Sequence, residues 1–164
     1  MNKAIFMLAA AALAAGCARD ATQTAPAPTF FVMRHLQKAS GDDPGLTPEG
    51  QACAARLAAF LADRGITAVY ASTTRRARET AAPVAAAAGV TAKDYAPSDS
   101  AALAARVLAE TGSVLVVGHS NTVPDIVERL GGTRPPAIAE TSFGDVWQVT
   151  RTGGATTTTH IPGC

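Results

Sequence analysis

The sequence predicts an α/β fold: a three-layer α/β/α sandwich with a mostly parallel central sheet and an antiparallel C-terminal hairpin. Three observations carry that reading. Residues 30–35 and 114–119 begin as short apolar runs bounded by turn signals, as buried strands of a parallel sheet do. Alanine-rich segments with helical spacing alternate with such runs. Near the C-terminus two strand-like runs, residues 143–151 and 155–161, flank Thr152-Gly153-Gly154, a hairpin signal.

The elements follow in order. After the first strand, residues 37–45 are a loop rich in Gly, Asp and Pro. Thr47 suits a helix N-cap and Pro48 the first helical position; Cys53, Leu57, Phe60 and Leu61 then share one face, and Gly65 ends the element. Residues 66–71 form a second strand. A helix over residues 76–88 stops at Gly89, with Pro83 expected to kink it or mark a boundary. Residues 90–95 are a short strand. Ser98 or Asp99 caps a helix over residues 101–110, with Leu103, Val107 and Leu108 inward. The strand ending at His119 follows. Asn121-Thr122 opens a last helix with Pro124 in its first turn, closing at Gly131-Gly132.

The N-terminal segment stands apart. Residues 1–16, with Lys3 before an apolar stretch, read as a secretory signal too short to span a bilayer as a helix. The run Leu13-Ala14-Ala15-Gly16-Cys17 resembles a bacterial lipoprotein signal, which implies a lipid on Cys17 and anchorage on the periplasmic side of the cell envelope. Ala18, by the same resemblance, favours the outer membrane. Residues 17–28 form a solvated tether of Ala, Thr and Pro, and residues 29–164 have the length of one domain. Of 14 Lys and Arg only Lys3 falls in the signal, so the remainder carries 13 basic against 13 acidic residues. With no basic stripe and few aromatics, nucleic acid is not indicated as a partner. Setting Cys17 aside leaves Cys53 and Cys164, an even pair for an oxidising compartment. They are read either as a disulfide or as a helix-face thiol plus a free C-terminal one.

The two apolar runs each end on a histidine, His35 and His119, and in open α/β sheets ligands sit beyond the carboxyl ends of the strands. Arg34 arrives beside its neighbour, and the segment Ser72-Thr73-Thr74-Arg75-Arg76 offers a second guanidinium. Two imidazoles and two guanidiniums around one point suit a phosphoryl group. Val32-Met33-Arg34-His35, Leu46-Thr47-Pro48-Glu49-Gly50, the segment from Ser72 through Ala81 and Val116-Val117-Gly118-His119-Ser120 resemble, in this order, four motifs of the histidine phosphatase superfamily. Leu36 stands where that family often has glycine, as in its short bacterial members.

The resemblance implies a phosphatase with a small phosphorylated substrate. His35 would be the nucleophile and Arg34 and Arg76 would grip the phosphate. His119 would serve both catalysis and phosphate binding, with Asn121 as an additional donor. It implies no cofactor and no metal, since the guanidiniums supply the positive charge. The three histidines show no ligand spacing for zinc. Arg75 and Arg78 read as a solvated helix face, and His160 as structural or exposed. The general acid is sought between the second arginine and the second histidine, at Asp94 or Asp99; Asp99 is preferred and is equally a helix N-cap. Specificity is expected from residues 37–45, 95–99 and 133–141. The rival reading is a non-catalytic envelope lipoprotein that binds phosphorylated glycans or lipids in the same cleft. The sequence carries no signal for oligomeric state.

Overall fold

A computed structural model describes residues 27–164. The signal, Cys17 and nearly all of the tether therefore lie outside the described residues. Ten elements follow one another: β1 (Thr29–Arg34), α1 (Pro48–Leu61), β2 (Ile66–Ser72), α2 (Arg75–Ala88), β3 (Lys93–Tyr95), α3 (Ser100–Leu108), β4 (Ser113–Gly118), α4 (Val123–Arg129), β5 (Val146–Thr152) and β6 (Ala155–Ile161). The six strands form one sheet in the order β3-β2-β4-β1-β5-β6. The first four are mutually parallel, and β5 and β6 add an antiparallel edge. This is the predicted α/β fold.

Alternation along β1 and β4 divides the core into two layers. Phe31, Met33, Leu115 and Val117 pack under Cys53, Ala54 and Leu57 of α1 and Ala77, Ala81 and Val84 of α2. Phe30, Val32, Val114 and Val116 face the opposite side, under Leu103 and Val107 of α3 and Val123, Ile126 and Val127 of α4. Strands buried on both faces have no polar alternation to show, so they read as continuous apolar runs.

Local chemistry sets the helix starts. Thr47 accepts a hydrogen bond from the Gly50 amide at 3.1 Å with Pro48 in the first turn, and Asp99 accepts from the Ala102 amide at 3.0 Å. Of the two alternatives for Pro83, no boundary forms: helix α2 runs through it, because Ala81, Val84 and Ala85 around it are buried and outweigh the lost bond to the Glu79 carbonyl. Three other expectations are corrected. The strand β3 is confined to Lys93–Tyr95, the stretch that pairs with Tyr70–Ser72. Leu108 is exposed: α3 stops there, and the residue is turned about 100° from Val107, off the buried stripe. The strand β5 begins at Val146 rather than near Phe143, since Gly144 takes a positive φ and interrupts extended backbone.

Candidate active site

Register brings the two histidines together. In the parallel ladder Arg34 pairs with Gly118, so His35 and His119 are each the first residue past the end of its strand. The His35 amide donates to the Gly118 carbonyl at 2.9 Å, and the imidazole centroids lie 5.4 Å apart, edge to face. Gly118 is required here by close approach: a Cβ would stand 2.9 Å from the Thr122 and Tyr95 hydroxyl oxygens.

Each ring is held through one nitrogen. His35 Nδ1 lies 2.8 Å from the Leu36 carbonyl, an acceptor only, so that nitrogen carries the proton and Nε2 keeps its lone pair. His119 Nε2 lies 2.8 Å from Ser72 Oγ. A hydroxyl donated from Ser72 leaves the proton of His119 on Nδ1. Burial, foremost, and then the Arg76 and Arg34 charges lower the His119 pKa to about 4. For His35 burial also dominates, opposed by the Leu36 hydrogen bond and reinforced by Arg76, His119 and Arg34, again giving about 4. Both rings are neutral at pH 7.

The guanidiniums arrive from different elements. Arg34 ends β1 and Arg76 lies in the first turn of α2, which is tied to the β1 exit: the Leu36 amide donates to Thr80 Oγ1 at 3.0 Å, and that hydroxyl donates to the Arg76 carbonyl at 2.8 Å. The side chain of Arg34 is buried. Its Nη1 donates to the carbonyls of Ala139 at 2.8 Å and Ser142 at 3.0 Å, its Nη2 to Glu140 Oε2 at 2.6 Å, and the Phe143 ring covers the guanidinium at 4.3 Å. The Nε atoms of Arg34 and of Arg76 are both buried with no hydrogen-bond partner among the described residues. A buried donor left unpaired costs about 1–3 kcal/mol, more when it is charged. Two such cationic donors on residues of one cleft, beside two neutral imidazoles, are groups that can donate to an oxyanion.

A cleft of about 550 Å³ collects these groups, lined by Arg34, His35, Arg76, His119 and Asn121. Its outer wall takes Lys38, Pro97 and Glu140, one residue from each loop expected to set specificity. Asp99 is not among the lining residues. It is exposed, and its carboxylate is engaged by the α3 N-terminus, so the acid role expected for it is corrected to a capping role. Asp94 instead pairs with Arg78 at 2.6 Å on the surface. The carboxylate at the cleft is Glu140, which the sequence reading missed because it looked before the second histidine and Glu140 comes after it. A lone acidic residue in a loop without periodicity gives no signal in a single sequence.

The remaining candidates lie elsewhere. Arg75 is exposed and pairs with Glu79, while His160 stacks on Trp147 with centroids 5.3 Å apart, remote from the cleft lining. Cys53 of α1 and Cys164 are joined by a disulfide, with Cα atoms 5.9 Å apart. Among the described residues no three His, Cys, Asp or Glu side chains gather as a metal site, and no helix is long and apolar enough to cross a membrane.

Fold and site together define a three-layer α/β protein with a cleft of paired histidines and paired arginines at the carboxyl ends of its central strands. The family model of the histidine phosphatase superfamily (branch 1) matches residues 32–96, which hold the Arg34-His35 and Arg76 motifs. The protein histidine phosphatase SixA complexed with tungstate is similar at 25% identity, over 82% of this chain and 96% of that one, with a TM-score of 0.62. The structure named putative phosphohistidine phosphatase SixA from Nakamurella multipartitia shares the fold at 22% identity, over 85% of this chain and 98% of that one, with a TM-score of 0.59. The mycobacterial glucosyl-3-phosphoglycerate phosphatase with VO3 does so at 14% identity, over 83% and 99%, TM-score 0.62. No curated protein matches the chain. Over residues 32–96 the chain is similar to the histidine phosphatase superfamily, and it shares the fold of these phosphatases.

Proposed function

We propose that this chain hydrolyses a phosphomonoester, or a phosphoramidate, through a phosphohistidine on His35. The observation that carries the reading is the pair of buried, unpartnered guanidinium N–H groups flanking a neutral imidazole whose Nε2 is unprotonated. Two of the similar structures hold tungstate and VO3, oxyanions of the kind such a receptor takes.

The phosphate oxygens accept from Arg34 Nε and Arg76 Nε, which fixes phosphorus in front of His35. His35 Nε2 forms a bond to phosphorus as the bond to the leaving oxygen or nitrogen breaks, and the leaving group takes its proton from solvent. His119 donates its ring N–H to the oxygens as charge redistributes, and Asn121 offers an amide at the rim. Water then attacks phosphorus, the N–P bond breaks, and inorganic phosphate leaves with His35 neutral again. The guanidiniums supply the positive charge throughout.

Turnover of p-nitrophenyl phosphate by the purified protein, and its loss by at least 10³-fold in His35→Ala, is expected for a nucleophile that acts with its neighbours as a unit. A wild type no faster than that variant, on this ester and on a phosphoramidate, leaves only the non-catalytic binder. We also propose export and lipid anchorage through Cys17, supported by the apolar leader and by the Cys53–Cys164 bond, which suits an oxidising compartment. Cys17→Ser is expected to move the protein from the membrane to the soluble fraction; unchanged membrane association contradicts the anchor.

A further inference from the structure

We infer that Glu140 makes the cleft discriminate among leaving groups, disfavouring phosphates that carry a second negative charge beside the phosphorus and favouring those that present a cation or a hydrogen-bond donor there. The inference rests on the phosphatase reading and extends it to a class of substrate.

Depth in the cleft sorts the groups. Arg34, His35 and His119 are buried, so the phosphate belongs at the bottom. The Glu140 side chain is 78% exposed, on the outer wall where the rest of a substrate emerges. Its carboxylate is nevertheless fixed: Oε2 accepts from Arg34 Nη2 at 2.6 Å, Oε1 accepts from the Ser120 hydroxyl, and on either side of it the Ala139 and Ser142 carbonyls accept from Arg34 Nη1. Those two carbonyls already orient the guanidinium. The carboxylate therefore adds something besides orientation: a negative charge at the mouth of an anion site.

That charge is present at neutral pH, since the Ser120 hydrogen bond, foremost, and the Arg34 charge hold the Glu140 carboxyl below its usual range. The other charged group on the outer wall, Lys38, is exposed with its ammonium against the Ala39 carbonyl at 3.5 Å. Lys38 would pull substrate preference the opposite way, so the contribution of Glu140 is read as a change in a ratio. A carboxylate on the leaving group would face Glu140 across a solvent-exposed gap, where screening limits the effect to about tenfold.

The test compares kcat/KM for O-phosphorylethanolamine, glycerol 3-phosphate and 3-phosphoglycerate on the full chain, with p-nitrophenyl phosphate as reference. The expected wild-type order is the ethanolamine ester first and the glycerate last. In Glu140→Gln the ethanolamine-to-glycerate ratio falls about tenfold, and in Glu140→Lys it falls further. Raising salt to about 1 M, where the Debye length is about 3 Å, should shrink the wild-type preference without any substitution. A parallel drop for all substrates in Glu140→Gln, with the ratio unchanged, would mean that Glu140 only positions Arg34 and would overturn the inference. So would a wild-type ratio indifferent to salt. If the wild type turns over neither these four esters nor a phosphoramidate, the phosphatase reading fails and the inference falls with it; turnover of the phosphoramidate alone, or of the esters with an unmoved ratio, sinks the inference alone.

Discussion

His35 and His119 are buried at strand ends beside two guanidiniums, and that placement sets how the protein responds to acid. Each ring is held near pKa 4, against about 6.5 for the same side chain in the unfolded chain. Between those values the unfolded chain binds protons that the folded chain refuses, so stability is fully present above pH 6.5 and declines as pH falls toward 4. The loss is of order 3 kcal/mol per ring at most. Thermal melting across pH 4.5–7.5 should show the decline, and His35→Asn with His119→Asn should flatten it; an equal slope in the double variant contradicts the assignment. The same residues show what one sequence can reveal. His35, His119, Arg34 and Arg76 were legible because each adjoins a strand end or helix start with a recognisable pattern. Glu140 was not, because backbone carbonyls of residues 139 and 142 bring it onto Arg34, and carbonyls are the same in every residue. Asp99 was legible as a cap, and capping is the work the structure gives it.

Among the elements, the C-terminal segment reaches the cleft through a chain of contacts. Cys164 is bonded to Cys53 of α1, Gly163 lies against the backbone of Gly144 with its amide donating to Asp145 Oδ1 at 3.1 Å, and Phe143, next in sequence, covers Arg34. The bond closes a loop over a sequence separation of 111 residues, for which the chain-entropy model gives about 4–5 kcal/mol. Cys164→Ser is therefore expected to lower Tm by about 10 °C, and to raise KM more than it lowers kcat as Phe143 loosens over Arg34. A reductant should reproduce the shift in the wild type and have no effect on the variant; a wild-type Tm indifferent to reductant contradicts this role. The strand cores and helix caps could be read from spacing. The β5 start could not, because Phe143 is apolar like a strand residue yet serves the guanidinium, with Gly144 turning the chain after it.

For the molecule as a whole, function follows from sheet order. The strands β4 and β1 are adjacent and parallel at the centre of the sheet, so two histidines 84 residues apart in sequence (35 and 119) emerge side by side, and α2 supplies the second arginine from the neighbouring crossover. A formal net charge of only +1 gives the chain little long-range field, so under the proposed function the pull on a phosphate comes from these few fixed groups. The sequence pattern could indicate which residues sit at strand ends. Only the register, with Arg34 opposite Gly118, brings their rings to 5.4 Å. The most direct test is to trap the covalent intermediate. After rapid quenching of wild type with a 32P-labelled phosphoryl donor, an acid-labile, base-stable label should map to His35, and it should be absent from His35→Ala. Turnover with no such label, or a label on another residue, would contradict the account.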